Sequence, residues 1–210
     1  MPIEFLISAL VTLLVVVDPV GLVPSFLTTT NGLPATLRRR VAVRACLIAG
    51  AILIGTALIG DWLLRQLGIT LPAFRIAGGL LLFAVAFEMV LGLRTRHATQ
   101  DAEQAVEEHF DDIAAFPLAI PLMAGPGAIT AIILLAGRAN GQLTYLSALI
   151  ALIALGVTSC FVVFMAADRV SRWLGVTGNI VLSRLLGVIL AGLAVQFIIN
   201  GVEALVRPNL

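Results

Sequence analysis

Asp61-Trp-Leu-Leu-Arg65-Gln-Leu-Gly68-Ile-Thr70 returns 107 positions later as Asp168-Arg-Val-Ser-Arg172-Trp-Leu-Gly175-Val-Thr177. At the same offset, Pro19 of Val17-Asp18-Pro19-Val-Gly21 corresponds to Pro126 of Ala124-Gly125-Pro126-Gly127-Ala128. Both prolines interrupt long apolar segments. Broken hydrophobic helices at matching points of two repeats are the sequence pattern of a transporter binding site.

The surrounding sequence is that of a membrane protein. Of 210 residues, 60% are hydrophobic and 12% charged, with a mean hydropathy of +1.09. Soluble domains lie nearer half apolar and a quarter charged. Apolar runs of roughly 20 residues, enough to span a bilayer, recur along the whole length. Six spans are expected, at about 3–27, 42–64, 71–93, 114–136, 144–167 and 180–203, with nothing left over for a soluble domain. The first has Glu4 instead of a basic flank, no small-residue cleavage site and an internal Asp18-Pro19. It therefore reads as a transmembrane helix and not as a cleaved signal. Cys46 and Cys160 fall within spans at unrelated repeat positions, which fits buried apolar roles better than a disulfide or metal pair.

All thirteen basic residues are arginine. With Arg75 and Arg184 set aside as lying inside spans, Arg38, Arg39, Arg40, Arg44, Arg94, Arg96, Arg169 and Arg172 fall at one membrane face. Arg65, Arg138 and Arg207 fall at the other. The positive-inside rule makes the first face cytoplasmic and turns both termini outward.

Three spans per repeat is an odd number, so the second copy enters the membrane from the opposite side. The expected organisation is a first three-helix repeat over 1–93, a cytoplasmic polar linker over 94–113 and an inverted repeat over 114–210. The third helices agree: Arg75-Ile-Ala-Gly78 matches Arg184-Leu-Leu-Gly187, and Gly92 and Gly201 each follow their arginine by seventeen positions. The linker holds His97 and His109 among carboxylates, but without a recognised metal-ligand spacing. It reads as a solvated, partly helical connector.

Asp18 lies ~22 Å along the first span at helical rise. An aspartate at mid-membrane costs ~2.5–3.5 kcal/mol on insertion scales, so it should face a cavity or a partner and not lipid. Asp is a good N-cap and Pro suits the first helical position, so Asp18-Pro19 reads as the start of a half-helix. Gly125-Pro126 can do the same in the fourth span. Val20-Gly21-Leu-Val-Pro24 and Pro117-Leu-Ala-Ile-Pro121 free further backbone groups. Each half-helix start offers backbone N–H groups and partial positive charge, a seat for a carboxylate. Gly127 and Ala128 follow the second start and are expected to line that seat; Thr130, one turn beyond Pro126, either lines it as well or bonds its own backbone. Asp18 breaks the symmetry, its counterpart being Gly125. One carboxylate beside two anion-attracting ends suits the ammonium of a zwitterion, or a coupling proton or Na⁺. Prolines can also merely kink packed helices, but the pairing at matched positions favours a site.

Arg75 and Arg184 either snorkel to an interface or act as a gate or ion pair, as their shared repeat position suggests. Glu88, Gln196 and Asn200 are further pocket candidates; Glu88 reads as interfacial and Gln196 as buried and hydrogen-bonded. No phosphate-binding loop, His-Glu-x-x-His, nucleophile elbow or Ser-His-Asp set occurs, so an enzyme is not expected.

Asp18-Pro19-Val-Gly21-Leu-Val-Pro24-Ser-Phe26, Arg75-Ile-Ala-Gly78-Gly79 and Pro121-Leu-Met-Ala-Gly125-Pro126-Gly127-Ala128-Ile129-Thr130 closely resemble the MarC family (UPF0056) of bacterial inner-membrane proteins. The resemblance covers essentially the whole chain. It implies an inner-membrane location and, as for some members, transport of neutral amino acids such as glycine and alanine. The chain is also similar to the wider group of small amino acid exporters with two three-helix repeats.

The expectation is an all-α integral membrane protein, with six transmembrane helices in two inverted repeats and helices 1 and 4 broken. It would move a small solute by alternating access, with H⁺ or Na⁺ as any coupling ion. The lipid bilayer is its surroundings, and its size is compatible with a homo-oligomer. No cofactor, metal or nucleic-acid partner is expected. Two rivals stand beside this reading. One is an exporter or flippase of another metabolite, drug or lipid carrier; the other is a non-transporting assembly or sensing protein that docks through the acidic linker.

Overall fold

The computed structural model describes residues 3–93, 114–138 and 142–206, and among them every regular element is helical. The acidic linker, with His97 and His109, lies outside the described residues. The elements are α1 (Ile3–Val17), α2 (Val23–Thr29), α3 (Ala35–Gln66), α4 (Leu71–Leu91), a π-helical segment (Ala114–Met123), α5 (Pro126–Arg138), α6 (Leu143–Met165) and α7 (Ala167–Val206).

Among the described residues four helices are long and apolar enough to cross a membrane: α3, α4, α6 and the Thr177–Val206 part of α7. The other two apolar segments are broken where the proline pairs stand. At ~1.5 Å per residue, the 15 residues of α1 reach ~22 Å and the 13 of α5 reach ~20 Å. Both fall short of a bilayer core of ~30 Å.

Two helices outrun the apolar windows. α3 begins at Ala35, not near 42, and its 32 residues carry Arg38, Arg39, Arg40 and Arg44 in the added turns. α7 begins at Ala167, so the expected connection before 180 is helical on either side of one residue, Gly175, at φ 61° and ψ −178°. Hydropathy traces the apolar layer, whereas a helix continues wherever its residues permit. Gly68 also has positive φ, 69°, in the α3–α4 turn, where Thr70 caps α4 by accepting from the Ala73 N–H at 3.4 Å. The repeated motif thus carries a glycine of positive φ at the same position in both copies.

α5 lies at the centre, with Ala131, Ile132, Leu134 and Leu135 fully buried, and packs on α1, α3, α4 and α6. The most extensive contact joins α4 to α7. A Cβ at Gly79 would lie 2.7 Å from the Ala194 carbonyl oxygen, and one at Gly187 would lie 3.1 Å from that of Ala86. Small residues at these crossings let two backbones approach, the usual device of helix association in lipid. Leu47, Phe87, Val162 and Val188 face outward, a surface that lipid accepts and water does not.

Candidate functional site

Asp18 is the residue on which the first break turns. Its N–H donates to the Leu14 carbonyl at 3.0 Å, the last helical bond of α1. It then adopts φ 51°, a left-handed conformation uncommon outside glycine but enriched in aspartate. The next turn starts from the same residue. Asp18 Oδ1 accepts from the Gly21 N–H at 3.0 Å, and its carbonyl accepts from the Leu22 N–H at 3.2 Å. The Asp18 side chain thus caps a turn over residues 19–22, and the helix expected to start at Pro19 begins only at Val23, with Leu22 before it. Gly21 is required there, because a Cβ would overlap the Asp18 carboxylate. Pro24 follows as the second residue of α2. Asp18 itself is 3% exposed.

The second break comes close to the first. The π-helical segment ends with the Ala124 N–H donating five residues back to Ala119 at 2.9 Å, and the Gly125 carbonyl opens α5 by accepting from the Ile129 N–H at 3.0 Å. Gly125 has no room for a side chain, since a Cβ would overlap the Pro121 carbonyl oxygen. A Cβ at Gly127 would lie 3.3 Å from Val85 of α4 and 3.5 Å from Val16, two residues before Asp18. Gly127 and Ala128 are buried beside the first break, whereas Pro126 is exposed. Thr130 is buried but turns to α4, its methyl 2.5 Å from where a Gly78 Cβ would stand.

The two helix starts are chemically unequal. At the first, the Asp18 carboxylate already serves the Gly21 N–H, and α2 is only seven residues long. At the second, α5 is nearly twice as long and its start carries glycine in place of an acid. The first N–H groups of a helix have no partner within it and lie at its positive pole. The start of α5 thus lies against Val16, two residues before the Asp18 carboxylate.

One residue on α7 that meets Asp18, Ser183, was not among the sequence candidates. Ser183 Oγ donates to Asp18 Oδ2 at 3.2 Å. Asn179, one turn earlier, is buried on the same stripe, which continues through Gly187, Leu190, Ala194, Phe197 and Gly201. The available signal was two polar residues at one-turn spacing on the buried side of an apolar span.

The remaining candidates are elsewhere. Among the described residues Arg75 and Arg184 enter no ion pair; the pairs there are Arg38–Asp168 and Asp61–Arg65. Each arginine instead lies beside the glycine that follows the other: Arg184 Nη2 is 3.8 Å from where a Gly92 Cβ would stand, and Arg75 Cβ is 3.1 Å from that of Gly201. Gln196 is exposed, not buried as expected, and donates to Asn200 Oδ1 at 2.8 Å along its own helix. Glu88 is half-buried on α4.

The two ends of the bundle differ. A cleft of about 390 Å³ is lined by Asp61, Leu64, Arg65, Thr70, Ala136 and Gly137 among others. It lies at the far end of α5 from the break. At the opposite end Arg38 bonds Asp168 at 3.1 Å and sits 5.7 Å over the Phe26 ring, which stacks on Phe164 with centroids 4.5 Å apart.

Comparison with known proteins places the sequence in a family. The MarC family of integral membrane proteins matches over residues 3–206. A UPF0056 membrane protein of Methanocaldococcus jannaschii is 38% identical over 205 residues, 97% of this chain and 98% of the relative. One from Aquifex aeolicus is 36% identical, covering 96% and 94% of the two chains. The UPF0056 membrane protein YhcE of Escherichia coli is 35% identical, covering 92% and 89%. No solved structure matches the chain.

Proposed function

The chain belongs to the MarC family of integral membrane proteins, and from that premise we propose that it is a secondary transporter of small zwitterions, neutral amino acids of the glycine and alanine type. The observation that carries this reading is the meeting of the two helix breaks. Gly127 at the start of α5 lies against Val16, two residues from the buried Asp18 carboxylate. An α-amino acid carries its two charges a few ångströms apart. Its carboxylate fits the positive end of α5, and its ammonium fits Asp18. Close packing at Gly125 and Gly127 favours small side chains.

Alternating access around this site follows from the inverted repeat. Support comes from the pairing of repeat equivalents: α3 packs with α6 and α4 with α7. Arg75 against Gly201 and Arg184 against Gly92 form reciprocal contacts of the kind a two-fold axis produces. Rocking one repeat on the other would open the ends in turn. The cleft by Asp61 and Arg65 is then a vestibule on the outer side. The Arg38–Asp168 pair over Phe26 and Phe164 closes the inner side, in the orientation that the arginine distribution assigns. The protein is not an enzyme in this reading; it sits in a bacterial inner membrane, with both termini outside.

The test is uptake of labelled glycine, alanine and serine into liposomes that contain the purified protein, with proton and Na⁺ gradients imposed. Saturable uptake of at least one is expected. None under any gradient, from protein shown to be folded and inserted, would remove the amino acid assignment.

A further inference from the structure

Asn179 holds a buried amide oxygen that no hydrogen bond satisfies: the residue is 7% exposed, and Oδ1 has no partner among the described residues. Buried acceptors are nearly always paired, so an orphan of this kind calls for an explanation. Its surroundings supply one. Ser183, one turn along the same buried stripe, places its hydroxyl 3.2 Å from Asp18 Oδ2. Residues i and i+4 of a helix are neighbours on one face, so the unpartnered Asn179 oxygen lies on the same buried face of α7 as Ser183, which meets the broken first helix at Asp18. Ser25, on the α2 segment that packs against α7, holds a second buried oxygen without a partner.

The first helix adds more oxygen. α1 ends at Val17, and the last carbonyls of a helix lie at its negative pole. A carboxylate, an amide oxygen, hydroxyls and helix-end carbonyls make an oxygen-only set with one formal negative charge. Hard cations choose such ligands. Half-helix C-termini with unwound carbonyls are where transporters hold their coupling cations. Among the described residues no three His, Cys, Asp or Glu side chains gather as they would for a divalent metal.

We propose that Asn179 and Ser183 complete, with Asp18, a seat for a monovalent cation, either Na⁺ or an organic ammonium group. On binding, the Ser183 hydroxyl turns from donating to Asp18 to offering a lone pair to the cation. The proposal takes its purpose from the transporter reading, since the cation is a coupling ion or the amine of the substrate, but its chemistry stands apart from the amino acid assignment.

The test uses full-length protein in detergent. Its unfolding midpoint is followed during titration with NaCl and, separately, methylammonium chloride, with choline chloride holding ionic strength constant. A ligand that binds only the folded state raises the midpoint in proportion to its occupancy. Saturable stabilisation by at least one cation is expected. Asn179→Leu and Ser183→Ala should weaken the apparent affinity about tenfold or more. Thr158→Ala, which removes an exposed hydroxyl bonded to its own helix, should leave it unchanged. A response to Na⁺ alone identifies the coupling ion; a response to methylammonium alone identifies the amine of the substrate. No response to either, or equal responses in wild type and both variants, overturns the seat. If Asn179→Leu does not fold, Asn179→Asp decides: an added carboxylate should tighten the cation response, and no gain contradicts the proposal. Cation binding without amino acid uptake would keep the seat and remove the substrate assignment. Uptake without a cation response would do the reverse.

Discussion

Arg38 and Asp168, 130 positions apart in the chain, meet with Nη1 3.1 Å from Oδ2. Their side chains are 24% and 64% exposed, so the pair contributes only ~0–1 kcal/mol to stability. Its significance is its place: the guanidinium covers Phe26, Phe26 stacks on Phe164, and Cys160 lies one turn behind Phe164 on α6, fully buried.

Cys160 is therefore a native reporter for this end of the bundle. In a Cys46→Ala background, a membrane-impermeant maleimide applied from the Arg38 side should modify Cys160 slowly. Asp168→Asn should speed modification several-fold, and Phe164→Ala more, as followed by intact mass. Equal rates in all three proteins would show that the ion pair and the ring stack close nothing.

Gly21 packs against the Asp18 carboxylate so tightly that a Cβ cannot be placed without moving it. Gly21→Ala should displace the carboxylate from its capping bond and abolish transport. The unfolding midpoint should fall by no more than loss of an N-cap implies, ~0.5–2 kcal/mol. Unchanged uptake in this variant would separate the position of Asp18 from function.

The two breaks were legible in the sequence because proline and aspartate inside an apolar run admit few explanations. The contacts of Arg184 with Gly92 and of Arg75 with Gly201 could not be read from the matched spacings, which do not say which segments meet. Ser183 was not legible. A serine in a membrane helix can satisfy itself on its own backbone, as Ser159 does with the Gly156 carbonyl at 2.6 Å. Only the tertiary contact with Asp18, 165 positions away, distinguishes it. Gln196 misled for the complementary reason: a pairing with Asn200 along its own helix meets its hydrogen-bonding need without burial. The length of α7 escaped because its first turns, from Asp168 to Trp173, are polar yet helical.

Two glycines with positive φ should respond differently to one substitution. Gly92 ends α4 at φ 73° and ψ 17°, the left-handed region that asparagine tolerates. Gly175 sits at φ 61° and ψ −178°, a region that is essentially glycine's own. Gly175→Asn should cost ~1–3 kcal/mol, and Gly92→Asn markedly less, by unfolding midpoint in detergent.

Glycines at the α4–α7 crossing should be sharply less tolerant than those on open helix faces. Gly79→Ala drives a methyl towards the Ala194 carbonyl oxygen and should destabilise by ~1–3 kcal/mol. Gly55→Ala and Gly192→Ala meet nothing within 4 Å and should be neutral or mildly stabilising. Thermal unfolding of the three variants side by side gives the comparison.

The most direct measurement is exchange of labelled glycine across liposomes preloaded with unlabelled glycine, with wild type beside Asp18→Asn. Exchange needs the site to visit both faces but needs no net driving force, so it reports the site and its alternation together. Saturable exchange is expected of wild type, and its loss in Asp18→Asn at equal incorporation. Undiminished exchange in the variant would contradict a substrate site built on Asp18.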